Sequence, residues 1–508
     1  MSTARNPARA LAGARPLALS LALAAASAQA VTASRPGDLE NATPVLREDG
    51  TPLRTALQAW HRDALQNRAP SAPASTHRYV SNCDDQGPGS LRDTIAGSAS
   101  GDTVDLGALA CSRISLYTGA IAVRVESLDV IGPDSRDLVV DGRGIDRVFV
   151  HYGYSGFLLR NITVAGGFNR AVGFHLGIGG CIASAGYLTL DHADVTGCFA
   201  SGEGAYGGAI YAYSLIMSNS TLSDNVAYGV HPEAGVAAFG GAAFTYEIDI
   251  VDSTITGNAA RHQTKPIGGD YDIGGGISTI RGGFVIDSTL DSNYSFGRGG
   301  ALATFGDVVV RNSTISSNEA HSFAGGGLFI RYPALLDASN STIAANASPR
   351  GGGVFFTSTS AVLQSTLVAT NASDDSDGAD LDGSRSVAVT GTHDLIGRIS
   401  AAIAVPSDTL RGDPHLLPLH ANGGPTRTQA LARDSIAVDA GDNTSQLTSD
   451  QRGAGYARVV GPAADIGAFE LGTPTDPAPV PAISTRFAAL LFALLALTGY
   501  AYGRRKFA

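Results

Sequence analysis

One short pattern recurs six times between Gly207 and Asn371, and such a repeat restricts the chain to stacked turns of backbone. Each copy reads Gly-Gly and a small or apolar residue, then a stretch of near-constant length, then Ser-Thr-apolar-x-x-Asn. The first three copies pair Gly207-Gly208-Ala209 with Ser220 to Asn225, Gly240-Gly241-Ala242 with Ser253 to Asn258, and Gly275-Gly276-Ile277 with Ser288 to Asn293. The next three pair Gly299-Gly300-Ala301 with Ser313 to Asn318, Gly326-Gly327-Leu328 with Ser341 to Asn346, and Gly352-Gly353-Val354 with Ser365 to Asn371. Gly179-Gly180-Cys181 with Asp194 to Cys198 is a degenerate earlier copy. The last glycine and the serine lie 12 to 14 residues apart, whereas successive serines lie 24 to 35 apart. The variation is therefore assigned to the stretch between each Asn and the next glycine pair. Strands must keep register with their neighbours, while one corner is free to bulge.

The segments between the motifs are short and alternating, as in Leu215-Ile216-Met217 and Ile248-Asp249-Ile250-Val251, and none is long enough for a helix. The reading is an all-β, single-stranded right-handed parallel β-helix. Equivalent residues of stacked coils lie about 4.8 Å apart. At that spacing Asn225, Asn258, Asn293, Asn318, Asn346 and Asn371 are expected to form a hydrogen-bonded ladder. Asn also tolerates a left-handed turn, and Gly-Gly allows close backbone approach at another corner.

The Gly-Gly-Ala-Ile run at Gly207 to Ile210 and the apolar-x-x-Asn run at Leu222 to Asn225 resemble the repeats of polymorphic outer-membrane proteins. More broadly, residues 78 to 470 resemble the right-handed parallel β-helix surface proteins of bacteria. Gly412-Asp413-Pro414, Asn422 to Thr426, Asp439-Ala440-Gly441, Asp450 to Gly453 and Asp465 to Glu470 resemble the choice-of-anchor module that follows many such solenoids. That resemblance implies a module closing the solenoid, with no chemistry of its own. Val480 to Ser484 resembles Gram-negative sorting signals of the Ile-Pro-Thr-Leu, PEP-CTERM-like type, sharing one of their four motif positions.

The domain map follows. Arg5, Arg9 and Arg15, an apolar run from Leu17 to Ala26 and Ala28-Gln29-Ala30 lay out a signal peptide over 1–30. Residues 31–77 read as a linker or pro-segment with one short helix at Leu53 to Leu65. The β-helix is placed at 78–385 and the terminal module at 386–472. A Pro-rich spacer, 473–486, leads to a membrane-spanning segment, 487–508, ending in Arg504-Arg505-Lys506. Ser90 and Asp93 form a capping box for a short helix through Ile95 that is expected to cover the first coil. The first coils are assigned to Thr103–Leu106, Arg113–Leu116, Leu128–Ile131 and Leu138–Val140.

Only 16% of residues are charged and the net charge is −11, which argues against nucleic acid as a partner. Four cysteines in an exported chain imply disulfides, and sequence order favours Cys83–Cys111 and Cys181–Cys198 among three pairings. The acidic run Asp374 to Asp382 does not fit a calcium loop and is expected to be a solvated turn. No metal and no cofactor are expected.

No catalytic motif is present: there is no Gly-x-Ser-x-Gly, no His-Glu-x-x-His and no phosphate loop. The long insertions fall at one corner of neighbouring coils, at 166–178, 199–206, 226–239 and 259–273. They carry Phe168, Phe174, His175, Glu203, Tyr206, Tyr228, His231, Glu233, His262, Lys265, Asp270, Tyr271 and Asp272. A patch mixing aromatic and polar groups suits a carbohydrate or a surface-protein ligand. The expectation is an exported protein of the cell envelope, tethered to the membrane through its C-terminal helix, with an adhesion or interaction role. The alternative is a polysaccharide lyase or glycoside hydrolase of the pectin-lyase-like class.

Overall fold

A computed structural model describes residues 76–472 except 134–136, 171–176, 203, 231–237, 263–272 and 375. The signal peptide, nearly all of the linker with its Leu53–Leu65 helix, the Pro-rich spacer and the membrane-spanning segment lie outside the described residues. Among the described residues no helix is long and apolar enough to cross a membrane.

The chain is a right-handed parallel β-solenoid in which each coil contributes up to five short strands. Ladder I runs from Ile121–Val123 to Leu381–Gly383, and ladder II from His77–Tyr79 to Ile403–Ala404. The long strands Ile210–Ser218 and Ala243–Val251 pass through both, joining them into one sheet of 21 strands. Ladder III has 11 strands, from Arg113–Ser115 to Leu395–Ile396. Ladder IV has 6, from Phe168–Arg170 to Glu319–Ala320. Ladder V has 3, from Gly177–Ile178 to Ala238–Phe239, and single bridges extend it through Ile273, Arg298, Ala324 and Arg350. The expected early strands appear as Thr103–Asp105, Arg113–Ser115, Leu128–Ile131 and Val139–Asp141.

Parallel pairing places the same motif position of every coil in one column. The apolar residue of Ser-Thr-apolar becomes the inward column Leu222, Ile255, Leu290, Ile315, Ile343 and Val368, all without solvent exposure. Each such side chain contributes about 1.5–3 kcal/mol by leaving water.

The six asparagines stack as expected, and all are buried. Each Nδ2 donates one hydrogen to the Oδ1 of the next asparagine, at 2.9 Å in all five steps. Its other hydrogen goes to a backbone carbonyl of the preceding coil, as Asn318 Nδ2 does to Leu290 O at 3.0 Å. Each Oδ1 also accepts the backbone N–H at the same position one coil before, from Cys198 at Asn225 and from the preceding asparagine in the other five. One side chain thus ties three coils together and leaves no amide hydrogen unpaired. The serines form a second, simpler column, with the Ser220 N–H donating to Ser253 Oγ at 3.1 Å and the same contact repeating to Ser341.

Three details differ from the sequence reading. The ladder asparagines are not the left-handed residues; the residue before each one is, as at Asp224, Ser292, Ser317, Ala345 and Thr370. An asparagine reaching inward for five bonds cannot also serve as the turn, so the neighbour takes that conformation. Where three glycines occur in a row, the first two fill the structural pair: Gly274, Gly325 and Gly351 hold the positive φ that Gly207 holds in the first copy. A Cβ at Gly207 would lie 1.8 Å from the Ile210 carbonyl oxygen, so no side chain fits there. In the last copy Thr366, not Ser365, stands in the serine column, which restores the common spacing to Asn371.

The acidic run is not a solvated turn throughout. Asp374 and Asp377 are exposed, but Asp380 and Asp382 are buried. Asp380 ends the asparagine ladder: its Oδ1 accepts both Nδ2 and the backbone N–H of Asn371, at 2.8 and 2.9 Å. A terminal member needs only to accept, and a carboxylate does that without a stranded donor. Asp394 ends the serine column, accepting the Thr366 N–H at 2.9 Å. Burial pushes the Asp394 carboxyl up to about 8.

The helix at Leu91–Ala96, here α1, begins at Ser90, whose side chain accepts the Asp93 N–H. The Asp93 carboxylate takes the Gly87 N–H rather than completing the box. Leu91 and Ile95 join the core. Both disulfides pair in sequence order, Cys83–Cys111 and Cys181–Cys198. After Ala404 the chain folds back along the flank formed by ladder III. Thr289 donates to Arg427 O at 2.6 Å, Thr314 to Gln451 Oε1, and Thr342 accepts the Ala468 N–H at 3.0 Å. The motif threonines covered by this segment are buried, while Thr221 and Thr254 beyond its reach are half-exposed.

Two outcomes test this arrangement. Asn318→Ala strands donors and acceptors in the coils on either side, and is expected to cost of order 3 kcal/mol by denaturant titration. Asp394 is protonated when folded and ionised when unfolded, so its contribution to stability falls as pH rises from about 4 to about 8. The melting temperature of Asp394→Asn should match the parent near pH 4 and exceed it increasingly toward pH 8.

Candidate functional site

Side chains at the middle of each ladder I strand point away from the core. Register places Ala183, Tyr211, Phe244, Ser278, Ala303, Phe329, Phe355 and Asp382 in that outward column. Four coils carry aromatic residues there, in two neighbouring pairs, Tyr211 with Phe244 and Phe329 with Phe355, and in-register parallel strands bring such rings face to face. Tyr211 and Phe244 stack with centroids 5.9 Å apart. Ladder V supplies a second pair along one edge of the column, Tyr206 and Phe239, stacked at 5.1 Å. Both meet the Phe244 ring edge-on. The corner between ladders I and II supplies a third pair on the opposite edge, Tyr213 and Tyr246, stacked at 5.3 Å with Tyr187 edge-on to Tyr213. The result is a platform of rings across neighbouring coils.

Its polar groups lie on the corner side. Arg281 Nη1 donates to Tyr213 Oη at 3.5 Å and lies 3.4 Å from Glu247 Oε1. Glu247 and Asp249 flank the core residue Ile248 and so share the outward side of one strand. Burial pushes the Tyr211 phenol up to about 12, with Tyr246 and Tyr206 adding to the effect. Burial and the Glu247 carboxylate do the same to Tyr213. These phenols remain protonated donors and are poorly suited to act as bases. Rings with protonated hydroxyls at their edges can stack on apolar faces and hydrogen-bond to hydroxyl-rich ligands.

Of the sequence-derived site residues, Tyr206 belongs to this platform. Phe168 and Tyr228 stand on ladder IV, linked through the Phe199 ring at 5.4 and 6.0 Å. His262, also on ladder IV, packs edge-on against Phe296 at 4.2 Å. Phe174, His175, Glu203, His231, Glu233, Lys265, Asp270, Tyr271 and Asp272 lie outside the described residues. Sequence reasoning missed Tyr211, Tyr213, Phe244 and Tyr246, because inside strands they pass for ordinary alternation. The signal that finds them is alignment of the copies on the glycine pair, which puts Tyr211 and Phe244 at the same offset.

The motifs of the C-terminal segment build structure. Arg452 lies between the rings of Tyr456 and Phe469, at 4.0 and 3.9 Å, and pairs with Asp450 at 2.6 Å. Arg458 and Glu470 form a fully buried pair at 2.9 Å. Among the described residues no group of three or more His, Cys, Asp or Glu is placed to hold a metal ion.

In a phenolate titration the parent should show a fraction of its tyrosines ionising only near pH 12, reduced in both Tyr211→Phe and Tyr213→Phe. Compared with protein-family models, with curated proteins and with solved structures, the chain matches none of them.

Proposed function

We propose that this chain is an exported cell-envelope protein that binds a glycan on the ring platform of ladders I and V. The observation that carries the reading is the three stacked pairs, Tyr206–Phe239, Tyr211–Phe244 and Tyr213–Tyr246, side by side on the outward side of the strands, where Phe244 and Tyr213 are buried and the other four rings half-buried. Sugar rings offer apolar C–H faces to such a surface and hydroxyls to its phenols. Export is supported by the two disulfides, which belong to an oxidising compartment, and by the apolar run at Leu17 to Ala26. The basic-ended apolar run Phe487 to Tyr502 supports a membrane tether, and the resemblance to β-helix surface proteins supports an adhesive role. Helix α1, with Leu91 and Ile95 in the core, supports the reading of a cover on the first coil.

A second reading rests on Glu247 and Asp249. Two carboxylates on one side of a strand, beside Arg281, are the raw material of a glycoside hydrolase of the pectin-lyase-like class. One set of experiments separates the two. Full-length protein is titrated with neutral β-1,4-linked oligosaccharides, and product ends are assayed in parallel. The binding reading expects saturable binding without cleavage, weakened about tenfold by Tyr211→Ala or Phe244→Ala. Cleavage lost in Glu247→Gln would establish the hydrolase instead. Binding that ignores both ring substitutions would remove the platform from consideration.

A further inference from the structure

Beyond the ring platform the same outer face changes character. Five arginines border ladder I over its last five coils. Arg281, Arg331 and Arg385 follow the ladder I strands Ile277–Thr279, Leu328–Ile330 and Leu381–Gly383, at the corner with ladder II. Arg298 and Arg350 precede Leu302–Thr304 and Val354–Phe356, on the ladder V edge. Successive coils therefore place one arginine on one edge and the next arginine on the other.

Four of the five guanidiniums are displayed over aromatic rings. Arg298 lies over Phe323 and Phe329, Arg331 over Phe305, Arg350 over Phe355 and Arg385 over Tyr332, all within 4.7–5.6 Å of the ring centroids. Backed by rings, these side chains are held flat against the surface rather than waving in solvent. The positions opposite them carry no cation: Ile273, Phe305 and Ala324 fill three of the alternate edges. Among the described residues the carboxylates beside the strip include Glu247, Asp307, Asp382 and the exposed Asp377, next to Gly378, which packs on Asp382. Glu247 lies 3.4 Å from Arg281, Asp382 pairs with Arg350 at 2.9 Å, and Asp307 accepts the Leu335 N–H. Arg281 and Arg350 thus have carboxylate partners, whereas among the described residues Arg331 and Arg385 are held over rings without an ion pair.

We propose that this strip binds a linear acidic polysaccharide of the flat, two-fold ribbon kind, lying along the solenoid axis with its carboxylates alternating from edge to edge. The proposal rests on the glycan-binding reading and names the ligand class. A β-1,4-linked polyuronate turns over at each sugar, so its carboxylates emerge on opposite edges in succession. The arginines alternate in the same sense, at a rise of about 4.8 Å per coil, which is on the scale of one sugar. The platform upstream stacks sugar faces, and the arginine strip supplies charge-assisted hydrogen bonds. A helical polyanion, or one with its charges on a single edge, would meet every second arginine only.

The test uses the full chain with four probes: β-1,4-oligomannuronate, polygalacturonate, a neutral cello-oligosaccharide and single-stranded poly-dT. Arg331→Gln and Arg385→Gln are the chosen variants, because among the described residues neither arginine takes part in an ion pair whose partner would be stranded. Oligomannuronate should bind most tightly, weaken as salt rises, and lose about tenfold in affinity in each variant; the neutral sugar should be indifferent to both. Equal affinity for neutral and acidic sugars, or unchanged binding in both variants, would overturn the proposal and leave the ring platform standing. Polygalacturonate or poly-dT bound as tightly as oligomannuronate would refute the edge-alternating geometry. Failure of every glycan to bind would remove the glycan reading itself.

Discussion

A buried primary amide is tolerable only if both of its hydrogens and its oxygen find partners. Every coil from Asn225 to Asn346 meets that demand by using the same amide of the next coil. The requirement is strict because nothing else in the interior can substitute: the neighbouring inward positions are Leu222, Ile255, Leu290 and their equivalents, all apolar. A slip of one residue in any coil would break two ladders of polar contacts at once and turn an apolar column outward. Register is thus fixed by polar satisfaction, and cohesion by apolar stacking. A self-propagating ladder also needs an end, and Asp380 and Asp394 provide the closing acceptors.

How much of this was legible in the sequence depends on whether a side chain's identity or its environment carries the information. The asparagine and serine columns were legible because the same residue type recurs at the same offset. The disulfide pairing was legible because short separations are the natural partners. Glycine register was not, since in Gly274-Gly275-Gly276 any two of three residues satisfy the pattern, and only the positive φ at Gly274 decides. The role of Asp380 was hidden because it comes from a loop 9 residues past Asn371 rather than from the repeat itself. The path of the C-terminal segment along ladder III was also invisible, because Thr289, Thr314 and Thr342 are the same motif threonine as the uncovered Thr221 and Thr254.

The candidate site was partly legible for the same reason. Loops attract attention because insertions are conspicuous, and Tyr206 was found that way. Tyr211 and Phe244 sit inside strands, where an outward aromatic looks like any alternating residue until the coils are stacked. Stacking turns single residues into columns, so a face of this solenoid is best described column by column. On ladder I that description gives rings over the middle coils and ring-backed arginines over the later ones. Both come from one geometric rule: parallel pairing without slip makes chemistry accumulate along the axis.

The measurement closest to the central claim is hydrogen exchange at the ladder asparagines themselves. Their backbone N–H groups sit at coil corners, where a simple turn would expose them, yet each donates to a buried side-chain oxygen one coil away. Peptides spanning 313–318 and 341–346 should therefore show the Asn318 and Asn346 amides exchanging as slowly as the flanking strand amides, through unfolding alone. Exchange of those two amides at the rate of open turns, with the strands still protected, would contradict the account.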